Sequence, residues 1–294
     1  MRDTVQRLLD EADVRIDGDR PWDIRVHEPR FYRRVLSGGS IALGESYMDG
    51  WWDCEALDRF FDRILRARVP EKARTSWKTW MYGLRARLFN LQSRSRAEQV
   101  GEEHYDLGND LFERMLDPRM VYSSGYWREA ETLDEAQTAK LDLVCRKLGL
   151  EQGMRVLDIG CGWGSFAEYA AKVYGVEVLG ITISEEQLRL ARERTADLDV
   201  EIRFQDYREL EETFDRVVSI GMFEHVGYKN YPTYMEVVRR CLTEDGLSLL
   251  HTIGSPTSEK SGDPWMEKYI FPNGMLPSAR QIADAAEGQL VLED

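Results

Sequence analysis

The sequence predicts an α/β protein, a parallel sheet covered by helices on both faces, with a smaller and mostly helical domain ahead of it. Three observations predict it. From Arg155 onward, short apolar runs alternate with helix-length amphipathic runs, the pattern of parallel strands joined by crossover helices. The first of those apolar runs opens into a glycine-rich turn, Gly160-Cys-Gly-Trp-Gly164. The charge balance also changes sign near residue 100: residues 1–100 carry +3 and residues 101–294 carry −17, together the net −14.

The elements follow in order. Residues 4–12, 29–36 and 54–67 read as helices, separated by turn signals such as Gly38-Gly39. Trp51 and Trp52 are assigned to packing. These elements make up a first domain, residues 1–92, and the polar, small-residue-rich stretch Gln92-Ser-Arg-Ser-Arg supports a linker at 93–103. The second domain, 104–294, begins with helices at 107–116 and 133–148. Strand Arg155–Ile159 then leads through the glycine turn into a helix at 165–173. A strand at 176–181, a helix at 185–195, a strand at 201–204 and the strand Phe214–Ile220 come next. A helix at 232–241, a strand at 246–252, a helix from Pro277-Ser278 to about Ala286 and a sixth strand at 289–292 complete the series.

Composition narrows the function classes. A chain with 43% hydrophobic and 31% charged residues is built like a globular protein with a core. No apolar run approaches the roughly 20 residues that span a bilayer, and Met1-Arg-Asp-Thr-Val lacks the apolar segment of a secretory signal, so a cytoplasmic location is expected. Cys54, Cys145, Cys161 and Cys241 are widely spaced, show no metal-ligand pattern, and are expected as reduced thiols; no metal site is predicted. From Arg63 to Arg96 ten basic residues stand against one acid, with Trp77, Trp80, Met81, Tyr82 and Phe89 among them. Such a stretch suits an anionic membrane surface or a solvated helix face over a core-facing stripe. Nucleic acid is disfavoured because the acidic remainder would repel a phosphate backbone.

The chemistry is carried by Val156-Leu-Asp-Ile-Gly-Cys-Gly-Trp-Gly164. Glycines at 160, 162 and 164 between a strand and a helix let bare main chain approach a ligand. Dinucleotide sites place their third glycine one residue later. The tighter spacing after a strand that carries Asp158 points instead to S-adenosylmethionine (SAM). The second strand ends without a carboxylate for the ribose, leaving Thr182 and Gln187 to supply those hydrogen bonds. Gln205, Asp206 and Tyr207 follow the third strand, where a carboxylate and an aromatic face suit adenine. Glu224 and His251 lie past the fourth and fifth strands, at the carboxyl rim where open α/β sheets bind ligands. His225 is the weaker of its adjacent pair.

Together with the glycine motif, His104-Tyr-Asp-Leu-Gly-Asn109, Tyr122-Ser-Ser-Gly-Tyr-Trp127, Gly221-Met-Phe-Glu-His-Val-Gly227 and Leu250-His-Thr-Ile-Gly254 resemble the bacterial cyclopropane-fatty-acid synthases and the related mycolic-acid modifiers; Gly44-Glu-Ser-Tyr-Met-Asp-Gly-Trp-Trp52 resembles the N-terminal domain of the two-domain synthases. The resemblance implies a class I SAM-methyltransferase fold, methylene transfer to a cis double bond of an unsaturated phospholipid acyl chain, and peripheral attachment to the inner face of the membrane as a homodimer. It implies a bicarbonate ion as proton acceptor, held at Ser124, Glu224, His251 and the backbone of Ile253. It implies SAM contacts at Tyr122, Ser123, Gly160, Gly162, Thr182, Ile183, Gln187, Tyr207 and Ile220. Asp158 and Gly164 join that set from the glycine motif, and Gln205 and Asp206 from their place after the third strand. Relatives carry cysteine at the Ser124 position, which serine can replace if the backbone N–H is the contributing group. They also continue past the sixth strand with a tyrosine that helps to hold the bicarbonate, so the sequence is expected to be a fragment. A methyltransferase of small molecules, a methyl-branching enzyme of fatty acyl chains and a silent lipid- or SAM-binding module are the alternatives.

Overall fold

The computed structural model describes residues 1–69, 109–272 and 274–293. The linker at 93–103 and the basic stretch from residue 70 onward lie outside them. The described residues fall into two compact units, residues 1–69 with 260–270 and residues 109–259 with 271–293.

In the first unit, α1 (Arg2–Asp10), β1 (Arg25–Val26), α2 (Arg30–Met48), β2 (Trp52–Asp53) and α3 (Leu57–Arg66) surround an apolar centre. Trp52 is 1% exposed, its indole donates to the Leu43 carbonyl, and its ring meets Phe31 and Phe60. Trp51 lies under the guanidinium groups of Arg30 and Arg34, 5.0 and 4.6 Å from the ring centre. Both tryptophans are therefore packing residues, as the sequence predicts. The helix expected at 29–36 does not stop at Gly38-Gly39. It kinks there, with Gly39 at φ 62°, because the buried face begun by Phe31 continues through Ile41 and Ala42 and a glycine lets the chain bend without leaving it.

In the second unit, α4 (Asn109–Met115) and α5 (Leu133–Lys147) precede β3 (Arg155–Ile159), α6 (Ser165–Tyr174), β4 (Glu177–Thr182), α7 (Glu185–Arg194), β5 (Val200–Phe204), β6 (Phe214–Ile220), α8 (Tyr231–Cys241) and β7 (Leu242–His251). The strands pair in the order β5-β4-β3-β6-β7, all parallel. Side-chain alternation divides the strands between two cores. Leu157, Ile159, Leu179 and Ile181 face one cluster with α8, while Val156 and Val178 face another with α5, α6 and α7. Each fully buried aliphatic side chain of this kind contributes about 1.5–3 kcal/mol. A capping box between Thr132 and Glu135 fixes where α5 begins. Among the described residues, no helix is long and apolar enough to cross a membrane.

Two expectations are corrected here. Residues 289–292 do not form a sixth strand: among the described residues no neighbouring strand offers them a ladder, and Val291 and Leu292 are 89% and 80% exposed. Strand propensity without a partner leaves the backbone polar groups to water. Residues 260–270, assigned by sequence to the second domain, belong to the first unit. Their helix α9 (Pro264–Tyr269) packs on α2, where Glu45 accepts from Lys268 Nζ at 2.7 Å and from the Tyr269 hydroxyl at 3.1 Å. The chain then returns to the second unit and ends in α10 (Ala279–Ala286).

This contact explains Gly44, which the sequence shows only as part of a motif. A β-carbon at Gly44 would lie 2.3 Å from the Trp265 ring. Gly44→Ala is expected to destabilise the protein by about 1–3 kcal/mol through overpacking, measured as a lowered urea midpoint. An unchanged midpoint would mean that α9 does not pack there.

Candidate active site

The glycine turn closes the carboxyl end of β3. Gly160 has φ 81°, and a β-carbon on it would meet Met222 at 2.6 Å, so no larger residue fits between the turn and the loop after β6. The Gly160 and Cys161 N–H groups both donate to the Ile181 carbonyl at 3.0 Å, which ties the turn to β4. A cavity opens above it. Its wall includes Tyr122, Ser123, Asp158, Gly160, Gly162, Thr182, Ile183, Gln187, Gln205, Asp206, Tyr207 and Ile220. Gly164 is the exception among the predicted cofactor residues. It is the left-handed N-cap of α6, packed against Ala191, and its part is to let the helix start close to α7.

The wall is already hydrogen-bonded in ways that select its free groups. The Thr182 hydroxyl donates to Gln187 Oε1 at 2.8 Å, and the Ser184 N–H donates back to Thr182 Oγ1. That bond commits the Gln187 amide oxygen and leaves its NH2 as the donor. Asp206 accepts from the backbone N–H and the guanidinium of Arg208, both at 2.9 Å, so its carboxylate is oriented before any ligand arrives. Tyr207 is 9% exposed and meets Tyr234 edge-on at 5.6 Å; it lines the cavity and packs the core at once.

Asp158 shares the α5 face of β3 with Val156. It is 2% exposed, and its Oδ2 has no hydrogen-bond partner among the described residues. Burial pushes its carboxyl up to about 7, opposed by the positive charge of Lys140. Lys140 is itself buried, and its ammonium is pushed down to about 8 by burial, against the pull of Asp117 and Asp158.

The predicted catalytic residues meet beside this cavity rather than in its wall. Ser124 Oγ and His251 Nε2 are 3.3 Å apart, and the Ile253 N–H donates to Glu224 Oε1 at 2.7 Å. Glu224 sits on the short turn Phe223–His225, which is held down by Phe223 stacked on Tyr231 at 4.3 Å. Glu224 Oε2 and His251 Nδ1 are buried without partners among the described residues. Burial holds the His251 pKa below its ordinary value, helped by the charge of Lys140 and resisted by Glu224, which favours the neutral imidazole. His225 diverges from Glu224 and lines the cavity instead.

Sequence reasoning missed Lys140, Gln137 and Arg208, and ranked His225 below Glu224 although His225 is the one that lines the cavity. The first two had a signal: they interrupt the apolar stripe that Ala136, Leu141 and Val144 make on α5, and a polar residue on a buried face requires a partner.

A family model described as mycolic acid cyclopropane synthetase matches residues 92–294. This chain belongs to that family. With it comes the enzyme class, a SAM-dependent transferase. The cyclopropane-fatty-acyl-phospholipid synthase of Escherichia coli (strain K12) is 58% identical over 290 residues, 99% of this chain and 76% of that protein. A probable fatty acid methyltransferase of Pseudomonas putida is 41% identical over 279 residues, 88% of this chain and 68% of that protein. Among solved structures, the mycolic acid cyclopropane synthase CmaA1 complexed with SAH and CTAB is similar, with a TM-score of 0.60 and 35% identity over 65% of this chain and 74% of that one. The five-stranded parallel sheet is the fold of a family with a solved member that binds the SAM product S-adenosylhomocysteine.

The Asp158 environment predicts a pH dependence. Its folded pKa of about 7 lies above the ordinary 3.8, so the folded state holds that proton more tightly than the unfolded chain. Raising the pH from about 4 to about 7 therefore removes stability from the ligand-free protein, and above that range this group changes nothing further. Asp158→Asn should abolish that component of the slope in urea denaturation across pH, and weaken SAM binding about tenfold or more through loss of a charged hydrogen bond. An unaltered slope would show that the carboxyl is not buried as described.

Proposed function

We propose that this chain transfers a methylene group from SAM to a cis double bond of an unsaturated acyl chain in membrane phospholipids, closing a cyclopropane ring. The observation that carries the reading is the juxtaposition of the SAM cavity with the pairs Ser124–His251 and Glu224–Ile253 at one sheet rim. The greater identity to the phospholipid synthase than to the fatty acid methyltransferase favours the ring over a methyl branch.

SAM supplies an electrophilic methyl group when bound. The residues of this chain bind and orient it: the Gly160 turn by close backbone approach, Thr182 and Gln187 at the ribose, and Gln205, Asp206 and Tyr207 at the adenine. A carbocation on the acyl chain requires a pocket without competing nucleophiles. At Ser124 a serine hydroxyl is a weaker nucleophile than the thiol that the resembling enzymes carry there, although His251 lies within hydrogen-bonding reach of it.

Ring closure needs a base, and a bicarbonate ion fits the groups present. Glu224 Oε2 is a buried acceptor without a donor, matched to the ion's O–H, and His251 and Ser124 offer polar atoms to its oxygens. When bound, the ion would supply the base that takes the ring-closing proton. Glu224 itself is held by the Ile253 N–H, so its second oxygen is fixed in direction. Glu224→Gln and His251→Ala should each lower cyclopropane product about 100-fold or more while leaving SAM affinity within about threefold. The measurements are gas chromatography with mass spectrometry of phospholipid acyl chains and calorimetry. Full turnover in either variant would remove that residue from the mechanism.

The substrate resides in a bilayer, so the enzyme works as a peripheral protein at the cytoplasmic face; the resemblance of residues 44–52 to the N-terminal domain of the two-domain synthases is what supports a homodimer formed through that unit. Support for a membrane face comes from α3, where Phe61 and Leu65 are exposed beside the exposed Arg59 and Arg66. Sedimentation with vesicles rich in anionic phospholipid should carry the protein down, less so as salt rises. Phe61→Asp with Leu65→Asp should weaken that binding several-fold. Equal binding by this variant would rule out α3 as the contact.

A further inference from the structure

The segment Tyr122-Ser-Ser-Gly-Tyr-Trp127 has no regular secondary structure among its described residues, yet it supplies one wall of the SAM cavity. Helix α5 holds it from behind. The Gln137 side chain donates to the Ser123 carbonyl at 2.8 Å, and the Tyr126 N–H donates to the Ala136 carbonyl at 2.9 Å. One turn further along the same face, Lys140 Nζ donates to Ser123 Oγ at 2.8 Å.

The direction of that last bond is forced. An ammonium has donors and no acceptor, so Ser123 Oγ must accept and its own proton must point elsewhere. Ser123 Oγ is the one hydrogen-bond acceptor of Lys140 among the described residues, although the lysine is only 4% exposed. Lys140, Ser123 and Asp158 all line the cavity, and Asp158 Oδ2 is buried without a partner. A buried cation and a buried anion both border the same space, and no ion pair joins them among the described residues.

Building on the SAM reading above, we propose that Lys140 is a positioning residue that recognises the α-carboxylate of the methionine tail of SAM, directly and through the Ser123 hydroxyl it orients, while Asp158 takes the α-ammonium. Charge decides the assignment. SAM carries a carboxylate, an ammonium and a sulfonium, and of these only the carboxylate is attracted to a lysine. With Lys140 and Asp158 each matched to one end of the amino acid group, the sulfonium is the one charge of SAM that these two residues leave unmatched. A lysine whose role is only to neutralise Asp158 would make no distinction among ligands that differ in the carboxylate.

Calorimetry on the full chain separates the two roles with three probes: S-adenosylhomocysteine, its decarboxylated analogue, and 5′-methylthioadenosine, which lacks the amino acid tail. Lys140→Met should weaken S-adenosylhomocysteine about 10- to 100-fold, as for loss of a charged hydrogen bond, and change the other two less than about twofold. Lys140→Arg should recover part of the loss, and Ser123→Ala should show a smaller loss with the same selectivity. Equal loss for all three probes, or none for any, would overturn the role of Lys140. If Lys140→Met fails to fold, Lys140→Gln, which removes the charge and keeps a polar side chain, carries the same expectation for the three probes, and Ser123→Ala should reduce the preference for S-adenosylhomocysteine over its decarboxylated analogue. Failure of the folded wild-type protein to bind any of the three would instead refute the SAM reading itself.

Discussion

The parallel pairing of β3 with β4 on one side and β6 on the other is the constraint on which the site depends. It aligns Asp158 with Gly180 and Val218 in one register, so every strand in the centre of the sheet ends at the same rim. The glycine turn, Thr182, Ile220 and His251 reach that rim from four separate stretches of sequence. A slip of one residue in β3 would exchange its two faces, putting Asp158 among the aromatic residues of the α8 side and an aliphatic residue in front of Lys140. The polar cavity and the two hydrophobic cores are thus set by the same register.

Buried charge is the second theme. Asp158 and Lys140 are held out of water near each other without a direct ion pair among the described residues. Such groups oppose folding of the empty protein, which makes sense where a zwitterionic ligand completes their solvation. The same lysine also lowers the basicity of His251, so the cavity and the neighbouring pairs share one electrostatic field. That favours a neutral imidazole beside Ser124, suited to accepting or donating a hydrogen bond.

Much of the second unit was legible in the sequence. Five strands and the helices between them fall within a few residues of expectation, because their apolar periodicity is strong and their glycine and capping signals are local. Twelve of the thirteen predicted cofactor residues line the cavity: Asp158, Gly160 and Gly162 because a strand-turn-helix motif carries its geometry with it, Thr182, Gln187, Gln205, Asp206 and Tyr207 because they follow strand ends, and Tyr122, Ser123, Ile183 and Ile220 through the family resemblance alone. The misses have physical causes. Residues 289–292 have strand-like composition but no partner strand among the described residues, and pairing is not a property of a segment. Gly39 looked like a helix end, yet the buried face continues beyond it. Residues 260–270 pack on α2 through Glu45 and Trp265, a contact between positions more than two hundred residues apart that no local pattern discloses.

By itself, the sequence determined the order of strands and helices, the glycine turn that brings main chain to a nucleoside, and the carboxylate at the end of the first strand, because each is set by residues close together along the chain. Tertiary structure alone decided which polar groups remain available for a ligand. Pairing Gln187 with Thr182, Arg208 with Asp206, Ile253 with Glu224 and Lys140 with Ser123 depends on packing between elements, and a hydrogen-bonding group becomes a binding group only when its neighbours leave it one direction unfilled.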